Sequence, residues 1–148
     1  MAKPIYILNG PNLNLLGLRE PEIYGAVTLD GIRKRARAKA DALGYEIEFR
    51  QSNSEGQLVD WVQEAGEKAA GLIVNAGAYT HTSVALLDAL LAVSVPCIEV
   101  HLSNIFRREK FRHESYVSKA AAGVICGFGQ KGYELAIEAL VEIVDQPE

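Results

Sequence analysis

The side chains best suited to moving protons fall into a few short clusters. Tyr24 sits near the end of Arg19-Glu-Pro-Glu-Ile-Tyr-Gly25, a segment that also carries Arg19. A free tyrosine has a pKa near 10, so acting as a general base near neutrality requires a shift to about 7–8, a cost of roughly 3–4 kcal/mol. Guanidinium groups in a dry site favour the phenolate. Arg19 lies five positions earlier, and Arg107, Arg108 and Arg112 lie on another polar stretch. The alternative is that Tyr24 anchors its loop by packing. His101 is the best general-acid candidate. Glu99 precedes it by two, so on a strand the two side chains share a face and the carboxylate can orient or charge the imidazole. The competing reading is a hydrogen-bonded structural histidine.

Binding groups accompany these proton carriers. Arg112 and the backbone N–H groups at Leu102-Ser103 suit a planar carboxylate, although Arg107, Arg108 and Arg112 also fit a solvated basic face. His81 follows the small-residue loop Asn75-Ala-Gly-Ala-Tyr-Thr and can hydrogen-bond a ligand, whereas His113 beside Arg112 reads as solvated. Neither Asn75-x5-His81 nor Glu99-x-His101 matches a zinc spacing, so no metal is assigned. Gly127-Phe-Gly-Gln-Lys-Gly132 fits G-x-G-x-x-G, but no strand follows to supply an acidic ribose ligand, and tight strand–helix packing accounts for it better.

These groups need a scaffold, and helical and extended patterns alternate along the whole chain. Apolar runs at Ile5–Leu8, Leu72–Val74, Pro96–Val100 and Val124–Cys126 read as buried strands. Tyr45–Phe49 alternates and suits a sheet edge. Helices are predicted from Leu29 to about Leu43 with Thr28 as N-cap, behind Ser52–Gly56, from a Thr82 or Ser83 cap to about Ala92, and from Tyr133 to Val144. About five β units alternating with helices imply an α/β fold with a parallel sheet covered on both faces. Ligands in such sheets bind beyond the carboxyl ends of the strands. Asn9, Asn75 and His101 end their strands, and Asn12, Arg19, Tyr24, His81, Ser103 and Arg112 lie on the loops after them, so the polar groups converge on one rim. The long apolar loop after Asn9 reads as a lid carrying Arg19 and Tyr24.

The totals set bounds. A chain of 148 residues suits one domain spanning 1–148. A net charge of −4 argues against nucleic acid. No apolar run approaches a membrane span, and no signal peptide is visible, so a cytoplasmic protein is expected. Cys97 and Cys126 read as reduced, buried thiols. The helix Ser83–Val93 is apolar nearly all round apart from Asp88, which suggests that another subunit covers it and that Asp88 is paired across that contact.

In order along the chain stand Asn9-Gly-Pro-Asn-Leu-Asn-Leu-Leu-Gly17, Arg19–Gly25, Asn75-Ala-Gly-Ala-Tyr-Thr-His-Thr-Ser83, Glu99-Val-His-Leu-Ser-Asn104 and Arg108-Glu-Lys-Phe-Arg-His113. Together, and at these spacings, they resemble the type II dehydroquinases (type II 3-dehydroquinate dehydratases) over essentially the whole chain. The resemblance implies a flavodoxin-like three-layer sandwich with a five-stranded parallel sheet, and anti elimination of water from 3-dehydroquinate through an enolate, with no cofactor and no Schiff base. It implies that Tyr24 takes the C2 proton, that Arg19 holds it as phenolate, and that Asn12 positions a water on the enolate oxygen. His101, backed by Glu99, would protonate the departing C1 hydroxyl. Asn75, His81, Arg112, Leu102 and Ser103 would bind substrate, and Asp88 would reach the site from a neighbour in a dodecamer of trimers. The lysines agree with this reading. Lys3, Lys34, Lys39, Lys68, Lys110, Lys119 and Lys131 fall at termini, in polar loops or on charged helix faces, none of them suited to an imine. The rivals are a flavin-binding or non-catalytic module on the same fold, and an assembly protein built around the Ser83–Val93 helix.

Overall fold

β-Branched and other apolar runs too short for helices pair side by side. In the computed structural model, which describes residues 2–18 and 27–146, β1 (Ile5–Asn9), β2 (Ile47–Gln51), β3 (Gly71–Asn75), β4 (Cys97–His101) and β5 (Gly123–Cys126) form one parallel sheet in the order β2-β1-β3-β4-β5. This is the flavodoxin-like order, with its switch point between β1 and β3. The register pairs Ile5 with Ile47 and Gly71, and Asn9 with Gln51 and Asn75, so β1, β2 and β3 end level.

Helices α1 (Leu29–Ala42), α2 (Glu55–Lys68), α3 (Val84–Ala92) and α4 (Lys131–Asp145) cover both faces. The oxygens of Thr28, Ser54 and Ser83 accept from backbone N–H groups of the first turns, which starts α1, α2 and α3 where the chain offers a capping side chain. Ser83, rather than Thr82, is the α3 cap. Because neighbouring strand residues point to opposite faces, the core has two halves. Ile5, Ile7, Ile73 and Ile98 meet α1 and α4, while Tyr6, Leu8, Leu72 and Val74 meet α2 and α3.

Two expectations shift. The edge strand is Ile47–Gln51 instead of Tyr45–Phe49, because pairing with β1 and the seat of Arg50 against Glu64, Tyr6 and Trp61 outweigh the local alternation. Cys97 is buried, but Cys126 is only half-buried at the end of the opposite edge strand. Asp88 is exposed on α3 within this single chain. Among the described residues no helix is long and apolar enough to cross a membrane.

Candidate active site

The rim is built from the loops that leave β1, β3 and β4. Gly10 N–H donates to the Asn75 carbonyl at 2.8 Å, drawing the first two loops together. A Cβ on Gly10 would stand 2.2 Å from the Ala76 carbonyl oxygen, so only glycine fits this approach. Under it, the Tyr133 hydroxyl from α4 donates to Asn9 Oδ1 at 2.6 Å and accepts from Asn75 Nδ2 at 2.9 Å, while Asn9 Nδ2 donates to the Arg50 carbonyl at 2.9 Å. The donors therefore run one way, from Asn75 through Tyr133 and Asn9 to Arg50. Burial pushes the Tyr133 hydroxyl well above its ordinary pKa, opposed in part by the Asn75 bond, so it stays a neutral donor. Asn75 Oδ1 accepts from Gly77 N–H at 3.3 Å, which fixes which end of the amide faces which way.

At the end of β4, His101 Nε2 lies 2.5 Å from Glu99 Oε2. A carboxylate only accepts, so Nε2 carries the proton and Nδ1 is the nitrogen left for the cavity. Glu99 is fully buried and sits behind His101 rather than on the cavity wall. Burial acts to raise its pKa, but hydrogen bonds from His101, Ser118 and Ser115 outweigh that, and the carboxyl titrates below its ordinary range. Glu99 is thus ionised at neutral pH.

The loops add the remaining groups. Asn12 adopts a left-handed conformation (φ 69°), one that asparagine tolerates better than most residues, and its N–H donates to Asn53 Oδ1 at 3.0 Å. His81 closes the 3₁₀ turn Gly77–His81, and its Nδ1–H donates to the Glu114 carbonyl at 2.7 Å, leaving Nε2 for a ligand. Between β4 and β5 the chain makes 3₁₀ turns at Ile105–Arg107, Lys110–Arg112 and Val117–Lys119. Arg112 donates through Nε to Glu109 Oε2 at 2.5 Å.

These groups enclose a cavity of about 460 Å³ whose wall includes Asn12, Asn75, His81, His101, Leu102, Ser103 and Arg112. Its volume lies in the range of small-molecule sites. Ile105, which the sequence pattern did not single out, also lines it; of the three arginines read either as guanidinium groups for the site or as a solvated basic face, Arg108 and Arg112 line the wall and Arg107 does not. Asn9 is buried beneath the cavity instead of on its rim. Asp88 is not on this wall, and Arg19 and Tyr24 lie outside the described residues. No lysine lines the described wall, so nothing there offers an amine for an imine. Gly132, from the glycine-rich motif, would place a Cβ 3.2 Å from Val100 Cγ2, which fits close helix–strand packing.

Comparison with known proteins gives a consistent result. The sequence model of the family described as dehydroquinase class II matches residues 3–141. The 3-dehydroquinate dehydratase of Phenylobacterium zucineum (strain HLK1) is 63% identical over 94% of this chain and 96% of that protein. That of Chelativorans sp. (strain BNC1) is 60% identical over 95% and 97%. Among solved structures, the type II dehydroquinase from Propionibacterium acnes superposes with a TM-score of 0.89 at 44% identity, covering 96% of this chain and 98% of that one.

Proposed function

This chain belongs to the class II dehydroquinase family, and from that membership we infer that it is a hydro-lyase converting 3-dehydroquinate to 3-dehydroshikimate, a step of the shikimate pathway. The roles of its residues are our proposal. Tyr24 removes the C2 proton, with Arg19 favouring its phenolate. Asn12 positions a water on the enolate oxygen, and His101 protonates the C1 hydroxyl as it leaves. Glu99 fixes the proton on His101 Nε2, so that Nδ1 is the nitrogen that gives up a proton. Asn75, His81, Arg112 and the Leu102-Ser103 backbone hold the substrate's hydroxyls and carboxylate. Elimination runs anti, and no cofactor takes part.

The observation that carries this reading is the convergence of Asn12, Asn75, His81, His101, Ser103 and Arg112 on one cavity where β1, β3 and β4 end. The whole chain, 1–148, acts as one catalytic domain, and we place it in the cytoplasm. We propose assembly as a dodecamer of trimers in which Asp88 completes a neighbour's site. Val84 and Leu91, 51% and 60% exposed on the same helix, support burial of that face by a second copy.

Incubating the protein with 3-dehydroquinate tests the activity. The enone chromophore of the product is expected to appear, and borohydride added with substrate should leave activity intact because no imine forms. Absence of turnover overturns the function, whereas borohydride inactivation overturns only the enolate route. Tyr24→Phe should abolish turnover while leaving the assembly intact.

A further inference from the structure

Glu99 poses a problem that the reaction deepens. While His101 holds both ring protons, the imidazolium neutralises the enclosed carboxylate. When the C1–O bond breaks, its electron pair leaves on oxygen, which takes the Nδ1 proton and departs as water. The imidazole is then neutral, and Glu99 is a buried anion facing only dipoles, the arrangement a protein interior tolerates least. Unsupported, it would keep the Nε2 proton for itself once Nδ1 is reprotonated from solvent, leaving a neutral carboxyl beside a neutral Nδ1–H imidazole in place of the carboxylate–imidazolium pair that the next turnover needs.

Two hydroxyls meet this need. Ser115 Oγ donates to Glu99 Oε2 at 2.7 Å, and Ser118 Oγ donates to Oε1, so each carboxylate oxygen has a serine partner. The Ser118 N–H in turn donates to Ser115 Oγ at 3.1 Å. The turn that carries them is fixed from both sides, with Val117 fully buried in the core and the Tyr116 N–H donating to the Thr80 carbonyl at 2.8 Å. Neither serine lines the cavity.

We propose that Ser115 and Ser118 are positioning residues for this reaction: they keep Glu99 an acceptor-only carboxylate after His101 has given up its proton, which holds the remaining ring proton on Nε2 and reserves Nδ1 for the substrate. This rests on the reading of His101 as general acid. Among the described residues, the titratable groups facing Glu99 are His101 and, two residues before it on the strand, Cys97. That thiol is pushed up to about 12 by burial and then by the Glu99 charge, so it stays neutral and does not compete.

Steady-state kinetics on the full chain with 3-dehydroquinate test this, using the Ser115→Ala/Ser118→Ala double variant, Ser118→Thr and His101→Ala. The double variant should lose about tenfold or more in kcat, part of the roughly 10²–10⁴ that a general acid contributes, with KM unchanged. Its basic limb in kcat should move to higher pH, because a carboxylate stripped of serine donors depends more on the imidazolium. Ser118→Thr keeps a hydroxyl and should stay near the parent rate. Unchanged kcat and an unmoved limb in the double variant, whatever its thermal stability, overturn the proposal. If His101→Ala keeps its turnover, the general-acid reading fails and takes the proposal with it; if His101→Ala collapses while the double variant does not, only the serine role fails. Should the double variant not fold, nitrogen NMR of the parent protein decides: neutral His101 is expected as the Nε2–H tautomer, and a majority of Nδ1–H overturns the proposal.

Discussion

On one side of the cavity, Asn75 and His101 close buried strands and are 3% and 5% exposed, with their polar atoms tied to Tyr133 and Glu99. On the other, Arg108 and Arg112 belong to a run of short 3₁₀ turns, and Arg112 rests on Glu109, itself an exposed residue of the same segment. The sheet fixes the first wall to within a hydrogen bond, while long side chains with several rotors make the second. Proton transfer demands fixed geometry, whereas recognition of a carboxylate by guanidinium tolerates adjustment. The division between kcat and KM should therefore track the division between the walls.

The largest expected effect breaks the comparison outright if it fails. His101→Ala should lower kcat by about 10²–10⁴ with little change in KM, and steady-state rates check this. Arg112→Ala should do the reverse, raising KM by about 10–100-fold, as expected when a charged hydrogen bond of roughly 1.5–3 kcal/mol is lost. A fall confined to kcat would erase the distinction between the walls. Tyr133→Phe leaves Asn9 Oδ1 and Asn75 Nδ2 without their partner inside the core, so denaturant unfolding should show a loss of about 1–3 kcal/mol.

Acid titration sharpens the same contrast. The folded-state pKa of Glu99 is depressed, so its contribution to stability is present above the unfolded-state value of about 4.5 and is lost as pH falls toward its folded pKa. Glu99→Gln should flatten that part of the stability curve. Glu109 is exposed, and Glu109→Gln should leave the unfolding midpoint essentially unchanged while lowering KM slightly, because Arg112 is released toward the cavity.

The two walls also differed in legibility. Asn9, Asn75 and His101 could be read because each closes an apolar run with a polar residue, and the α/β alternation says where such ends gather. The segment from Ser103 to Lys119 has no hydrophobic period, since its turns are held by local contacts such as Asn104 Oδ1 accepting from the Phe106 N–H. Arg108 therefore could not be told from Arg107, although only Arg108 lines the cavity. Ser115 and Ser118 were silent for another reason: their partner is 16 and 19 residues away, and no spacing rule links a turn to a strand. Tyr133 read as the start of a helix, while its hydroxyl partners lie 124 and 58 residues off.

One hydroxyl from α4 bonds the terminal amides of two adjacent strands, and this has a dynamic consequence. Neither strand end can fray alone without breaking its bond to the tyrosine, so the Gly10 and Gly77 amide protons should exchange with solvent at closely matched rates. The base of the pocket then breathes as one piece, and a substrate meets it either wholly assembled or wholly open.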